Sequence, residues 1–145
     1  MKAFRAIYRI WVTVLTAAVV VQIFFAGYGA FENVRKLNKN GSTIDQDSFN
    51  HSFDLHIALG YLIWLGGVIF LLISFGTRSR SRIYRALGVF GLLTLQVLLA
   101  WIGYGTPYVA GLHPINAFII LGFLGSITYR EWREGREAAA EPATA

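Results

Sequence analysis

The sequence predicts an all-α integral membrane protein: a four-helix up-down-up-down bundle built from two tandem helical hairpins, a 2+2 pseudo-repeat. Three observations carry that expectation. Four apolar segments of near-spanning length account for most of the 145 residues. The chain is 55% hydrophobic with positive mean hydropathy. Short motifs recur in the same order in the two halves, the sign of an internal repeat. A chain this apolar and this short reads as a single membrane domain rather than a soluble one or a string of domains.

The first segment, residues 8–31, begins among the basic residues Lys2, Arg5 and Arg9. It is longer than the ~7–15 apolar residues of a secretory signal, so it is read as the first span. Residues 32–52 read as a polar loop containing Asn40, Gly41 and Ser42, and residues 53–75 as the second span. A basic loop over 76–85 leads to the third span, 86–105; a tight Gly/Pro turn over 106–111 leads to the fourth, 113–129. Residues 1–136 thus form one transmembrane domain, and the Ala-rich residues 137–145 read as a disordered tail. Each segment approaches the ~20 residues needed to cross ~30 Å of hydrocarbon, and a span must satisfy its own backbone hydrogen bonds, which makes it a helix.

Charge sets the orientation. Of thirteen basic residues, ten lie at the start, in the middle loop (Arg78, Arg80, Arg82, Arg85) or after the last span (Arg130, Arg133, Arg136). Only Arg35, Lys36 and Lys39 lie on the other side. The positive-inside rule therefore puts both termini in the cytoplasm, in the inner cell membrane. The net charge of +5 is a topology signal, and no nucleic-acid partner is inferred from it. The absence of cysteine excludes disulfides, iron–sulfur clusters and thiolate-held haem, and leaves histidine ligation open.

The repeat brings out the candidate site. Gln22, Ala26 and Gly29 in the first segment have the spacing of Gln96, Ala100 and Gly103 in the third. Leu55-His56 followed by Gly60 parallels Leu112-His113 followed by Ala117. In an up-down-up-down bundle the second and fourth helices are diagonal neighbours running the same way, so His56 and His113 are expected at one depth near the external face. Two imidazoles at one level are what a bis-histidine haem requires. Gly60 and Ala117, four residues on, would leave room for a macrocycle, and Ala26, Gly29, Ala100 and Gly103 would frame its slot. Gln22 and Gln96, seven residues from the glycines and about 10 Å deeper, would meet its inner edge or each other. Tyr28, Tyr104, Tyr108, Arg35, Lys36 and Lys39 would reach its propionates.

Ionisable groups inside a bilayer are costly and by default functional, so the matched pair favours metal or haem ligation over hydrogen bonding between helices. A structural zinc site wants about four Cys, His or carboxylate ligands, more than two histidines offer. His51 has no counterpart in the second half and reads as exposed. Asp54 reads as a first-turn or capping carboxylate of the second helix. Trp11 and Trp132 read as belt residues at the cytoplasmic interface.

The stretches His56-Ile57-Ala58-Leu59-Gly60 and Leu112-His113-Pro114-Ile115-Asn116-Ala117 resemble the haem-ligating helices of one four-helix half of haem A synthase. The resemblance implies that His56 and His113 are axial ligands of one b-type haem (heme b). The chain departs from that family in having one half instead of two, no external cysteine pair, and Phe53 where the family has a catalytic glutamate. Haem A synthesis is therefore not expected. In general design the chain is also similar to small four-helix membrane cytochromes b. The reading is an electron carrier or haem-handling protein rather than an enzyme, with a redox partner or quinone in the bilayer, as a homo-oligomer or a subunit of a membrane complex. The competing readings are a cofactor-free scaffold or accessory subunit, and a transporter with a midplane site at Gln22 and Gln96. The second would need a charged or broken helix at mid-depth, which the sequence lacks.

Overall fold

The computed structural model describes residues 2–40 and 43–140, and its regular structure is helical throughout. The elements are α1 Lys2–Asn40, α2 Gln46–His51, α3 Asp54–Gly76, α4 Arg80–Gly103, α5 Pro107–Ala110 and α6 Leu112–Ala140. Helices α1, α3 and α4, and α5 with α6 as one continuous stretch, are each long and apolar enough to cross a membrane.

Helix ends depart from the hydropathy pattern, because hydropathy reports the surrounding medium and not where backbone hydrogen bonding stops. Helix α1 does not end at Phe31. Glu32 accepts two hydrogen bonds from Arg35, at 2.6 and 2.7 Å, an i,i+3 pair that carries the helix on to Asn40. The polar loop expected over 32–52 is correspondingly short and contains α2, whose first turn is capped by Asp45. The carboxylate of Asp45 accepts from the Ser48 amide at 2.8 Å. Gly41 and Ser42 of that loop lie outside the described residues. Lys36 Nζ ties the loop down, donating to Ser48 O and Ser52 Oγ at 2.8 Å each.

The basic loop contracts to residues 77–79, where Arg78 adopts a left-handed φ of 53° and reverses the chain into α4. The tight turn expected over 106–111 takes the form of one helical turn, residues 107–110, since Pro107 stands at the first helical position, where its missing N–H costs nothing. Pro114 is tolerated for the same reason, as the third residue of α6. Residues 137–140, expected in a disordered tail, continue α6, with Glu137 paired to Arg133 at i,i+4. The rest of that segment, 141–145, lies outside the described residues.

Helix α1 packs against α3 and α6, and α4 packs against the same two, so the long helices close a ring in which α3 and α6 face across the middle. The core takes an i, i+4, i+7, i+11 stripe from α1 (Tyr8, Val12, Leu15, Val19) with Ile63 and Phe70, Ala86, Val89 and Leu93, and Ile120, Leu124 and Ile127. Tyr8 and Phe70 are wholly buried against each other, with ring centroids 4.5 Å apart. The outside of the ring is apolar too: Phe24, Leu62, Leu72, Phe118 and Ile119 are more than half exposed. Such a surface is better solvated by hydrocarbon than by water.

One end of the ring is held by charge. Buried Glu131 accepts from Arg82 Nε with both oxygens at 3.0 Å and from Arg85 at 3.4 Å, while Arg82 also reaches Glu134 at 2.8 Å. Tyr8 donates its hydroxyl to the Arg82 carbonyl, which fixes α1 to the same cluster.

Candidate functional site

At the other end, His56 sits in the first turn of α3 and His113 in the first turn of α6. The two rings meet in an edge-on arrangement, with centroids 6.2 Å apart and planes inclined at 64°. Each imidazole is held the same way. His56 Nδ1 bonds the Gln22 carbonyl of α1 at 3.2 Å, and His113 Nδ1 bonds the Gln96 carbonyl of α4 at 3.1 Å. A carbonyl only accepts, so Nδ1 carries the proton in both rings and Nε2 of the neutral ring keeps its lone pair. Among the described residues neither Nε2 has a hydrogen-bond partner.

Both histidines line a cavity of about 600 Å³ between the four long helices, within the ~300–1,000 Å³ of small-molecule sites. Gln22, Ala26, Gly60, Gln96, Ala100 and Ala117 line it with them. Gly29 and Gly103 do not. A Cβ on Gly29 would lie 2.7 Å from the Ser52 carbonyl and 2.6 Å from the Phe53 ring; one on Gly103 would lie 2.9 Å from Ala110 Cβ. Their small size lets the connectors that lead into α3 and α6 pass close, and a stripe of small residues in sequence cannot say which neighbour it meets.

The glutamines do not bond each other. Gln22 Nε2 donates to the His56 carbonyl at 2.7 Å, while Gln96 Oε1 accepts from Asn116 Nδ2 at 2.7 Å. Gly60 serves the first of these, because a Cβ there would come within 3.0 Å of the Gln22 amide nitrogen. Gln22 Oε1 is buried and has no hydrogen-bond partner among the described residues. Of the groups expected at an outer edge, Tyr104 lines the cavity, Arg35 and Lys36 are engaged with Glu32 and the Ser48–Ser52 turn, and Tyr28 and Tyr108 are exposed. His51 is exposed and pairs with Asp54 at the start of α3, away from the cavity lining.

Sequence reasoning missed Asn116, which also donates to the Leu92 carbonyl at 3.0 Å, and the aromatic lining from Phe53, Tyr61, Trp64, Trp101 and Phe118. Phe53 meets the His56 ring edge-on at 6.3 Å between centroids. The signal for Asn116 was its place one turn beyond His113, on the same helix face. For the aromatics there was none, since aromatic residues are spread along all four segments.

Two imidazoles bound through Nε2 on opposite sides of one metal centre, by bonds of about 2.0 Å, have ring centroids about 6 Å apart. The observed 6.2 Å meets that requirement. Among the described residues no three His, Cys, Asp or Glu side chains converge. His56 and His113 could supply two nitrogen donors to a metal centre between them. Protein-family models, curated proteins and solved structures offer no match to this chain.

Proposed function

We propose that this chain is a multi-pass membrane protein that binds one b-type haem between α3 and α6 through Nε2 of His56 and His113, and that it serves one-electron transfer or haem handling. The observation that carries this reading is the imidazole pair, 6.2 Å apart with each Nδ1 committed to a backbone carbonyl. Such a hydrogen bond fixes the tautomer of a metal-binding histidine, orients its ring and raises its basicity. The apolar and aromatic lining suits a porphyrin face. The equivalent partners of the two histidines, Gln22 and Gln96, support a bundle of two like hairpins running up, down, up and down. The basic residues around Arg78 to Arg85 and Arg130 to Arg136 support cytoplasmic termini.

Haem with two imidazole ligands supplies a one-electron iron couple with no open coordination position. The residues of the chain do the rest. Gln22 and Gln96 hold the rings through their carbonyls, the Gln22 amide holds the His56 backbone, and aromatic side chains line the cavity beside them. A second reading, a cofactor-free scaffold or accessory subunit, draws on the same hydrogen bonds, which tie α3 to α1 and α6 to α4 without any ligand. Absorption separates the two. Protein purified from haem-replete cells is expected to show a Soret band and sharp α and β bands on reduction, lost in both His56→Ala and His113→Ala. Colourless protein would overturn the haem reading in favour of the scaffold.

A further inference from the structure

At the end of the bundle away from the histidines, Arg9 is held in a way that the charge cluster around Glu131 does not explain. Its guanidinium carbon lies 4.4 Å from the centroid of the Trp132 ring. It also lies close to Gly135, one turn further along α6, where any Cβ would fall on the guanidinium. The indole is itself fixed: Trp132 Nε1 donates to Thr13 Oγ1 at 2.9 Å, and that hydroxyl donates to the Arg9 carbonyl at 2.8 Å. The guanidinium is thus held against α6. Among the described residues no carboxylate pairs with it, and its Nε is buried with no hydrogen-bond partner.

A guanidinium held in place without a carboxylate partner is organised for binding an oxyanion, and phosphate is such a partner. The surroundings say which phosphate. Ile7 and Ile10, at the depth of Arg9 but on the outward side of α1, are about half exposed and apolar, a surface for acyl chains. Trp132 is exposed, as interfacial tryptophans are. Arg5 and Arg136 are exposed one helical turn from Arg9 and Trp132 respectively, while the neighbouring Glu131 and Glu134 are paired with Arg82 and Arg85, so the local field is positive and disfavours a head group that brings its own cation. We infer that Arg9, Trp132 and Gly135 form a binding site for the phosphodiester of an anionic phospholipid. The inference rests on the membrane placement proposed above and is independent of haem.

Native mass spectrometry of the full chain released from mixed phosphatidylglycerol and phosphatidylcholine vesicles tests it. One phosphatidylglycerol is expected to stay bound in preference to phosphatidylcholine. Arg9→Gln should weaken retention about tenfold or more, the factor for a hydrogen bond to a charged group. Arg9→Lys, which keeps the charge and loses the fork, should weaken it less, and Arg130→Gln should leave it unchanged. Equal loss in Arg9→Gln and Arg130→Gln would show diffuse attraction and overturn the site. So would equal retention of both lipids by the unaltered chain, or displacement of the lipid by millimolar inorganic phosphate, which would mark a site for the free ion. Failure of the chain to float with vesicles at all would instead sink the membrane placement.

Discussion

His56 and His113 stand with their ring centroids 6.2 Å apart at one end of the helix ring, each imidazole anchored through Nδ1 to a glutamine carbonyl on a neighbouring helix. The two supports differ in their side chains. Gln22 turns its amide to the backbone of His56, whereas Gln96 is held by Asn116.

That asymmetry is testable with Gly60. Gln22→Ala removes the bond to the His56 carbonyl and is expected to cost about 1 kcal/mol, or about 3 °C in the melting temperature. Gly60→Ala pushes on the same amide at 3.0 Å and is expected to cost no more than that. Because both changes act on one interaction, the double variant should melt near Gln22→Ala and well above the sum of the two losses. Additive losses would show that Gly60 has another role.

Gly29 and Gly27 should respond in opposite ways. Gly29→Ala drives a methyl into the Ser52 carbonyl and Phe53, so overpacking of about 2 kcal/mol is expected. Phe53 lines the cavity, so the same change should also disturb ligand binding there. A Cβ on Gly27 meets nothing within 4 Å. Gly27→Ala is therefore expected to be neutral or to stabilise by up to about 1 kcal/mol. Thermal melting in detergent micelles reads both.

Glu131 is the buried anion of the opposite end. Glu131→Ala strands Arg85 and leaves Arg82 with Glu134 alone, and is expected to cost about 3 kcal/mol, near 10 °C in melting temperature. His113 lies eighteen residues earlier on α6, about 27 Å along the axis, so binding at the histidines should be unaffected at temperatures where the variant is folded. A matching loss of ligand binding would show that the two ends are coupled.

Acid should loosen α2 first. The hydrogen bonds from Ser48 hold the Asp45 carboxyl below the usual carboxylate range. A carboxyl with its folded pKa lowered stabilises above its unfolded pKa and loses that contribution as pH falls through the folded value. Amide exchange at Ser48 should thus stay slow from neutral pH down to about 4 and rise, beyond the intrinsic pH trend, only in the acid below it. Asp45→Asn should abolish that extra rise.

The four apolar segments were legible because a span leaves a run of hydrophobic residues, and the helices were shorter in sequence than in structure because Glu32, Arg35 and Glu137 prolong them through polar pairs. Pro107 reads as a breaker and stands where a helix accepts proline. Within the site, the spacing of Gln22, Gln96, His56 and His113 was visible as a pattern. The exchange of partners was not: whether Gln22 bonds Gln96 or the His56 backbone depends on which helices are adjacent. Gly29 and Gly103 shared the small-residue signal with Ala26 and Ala100, and only packing separates the pair under the connectors from the pair on the cavity wall.

The most direct measurement of the central claim is electron paramagnetic resonance of the oxidised, purified chain, read with haem content per chain. Ligation by both imidazoles predicts one haem per chain and a low-spin ferric signal, converted to high spin or lost in both His56→Ala and His113→Ala. A chain without haem, or a low-spin signal that survives either substitution, would contradict it.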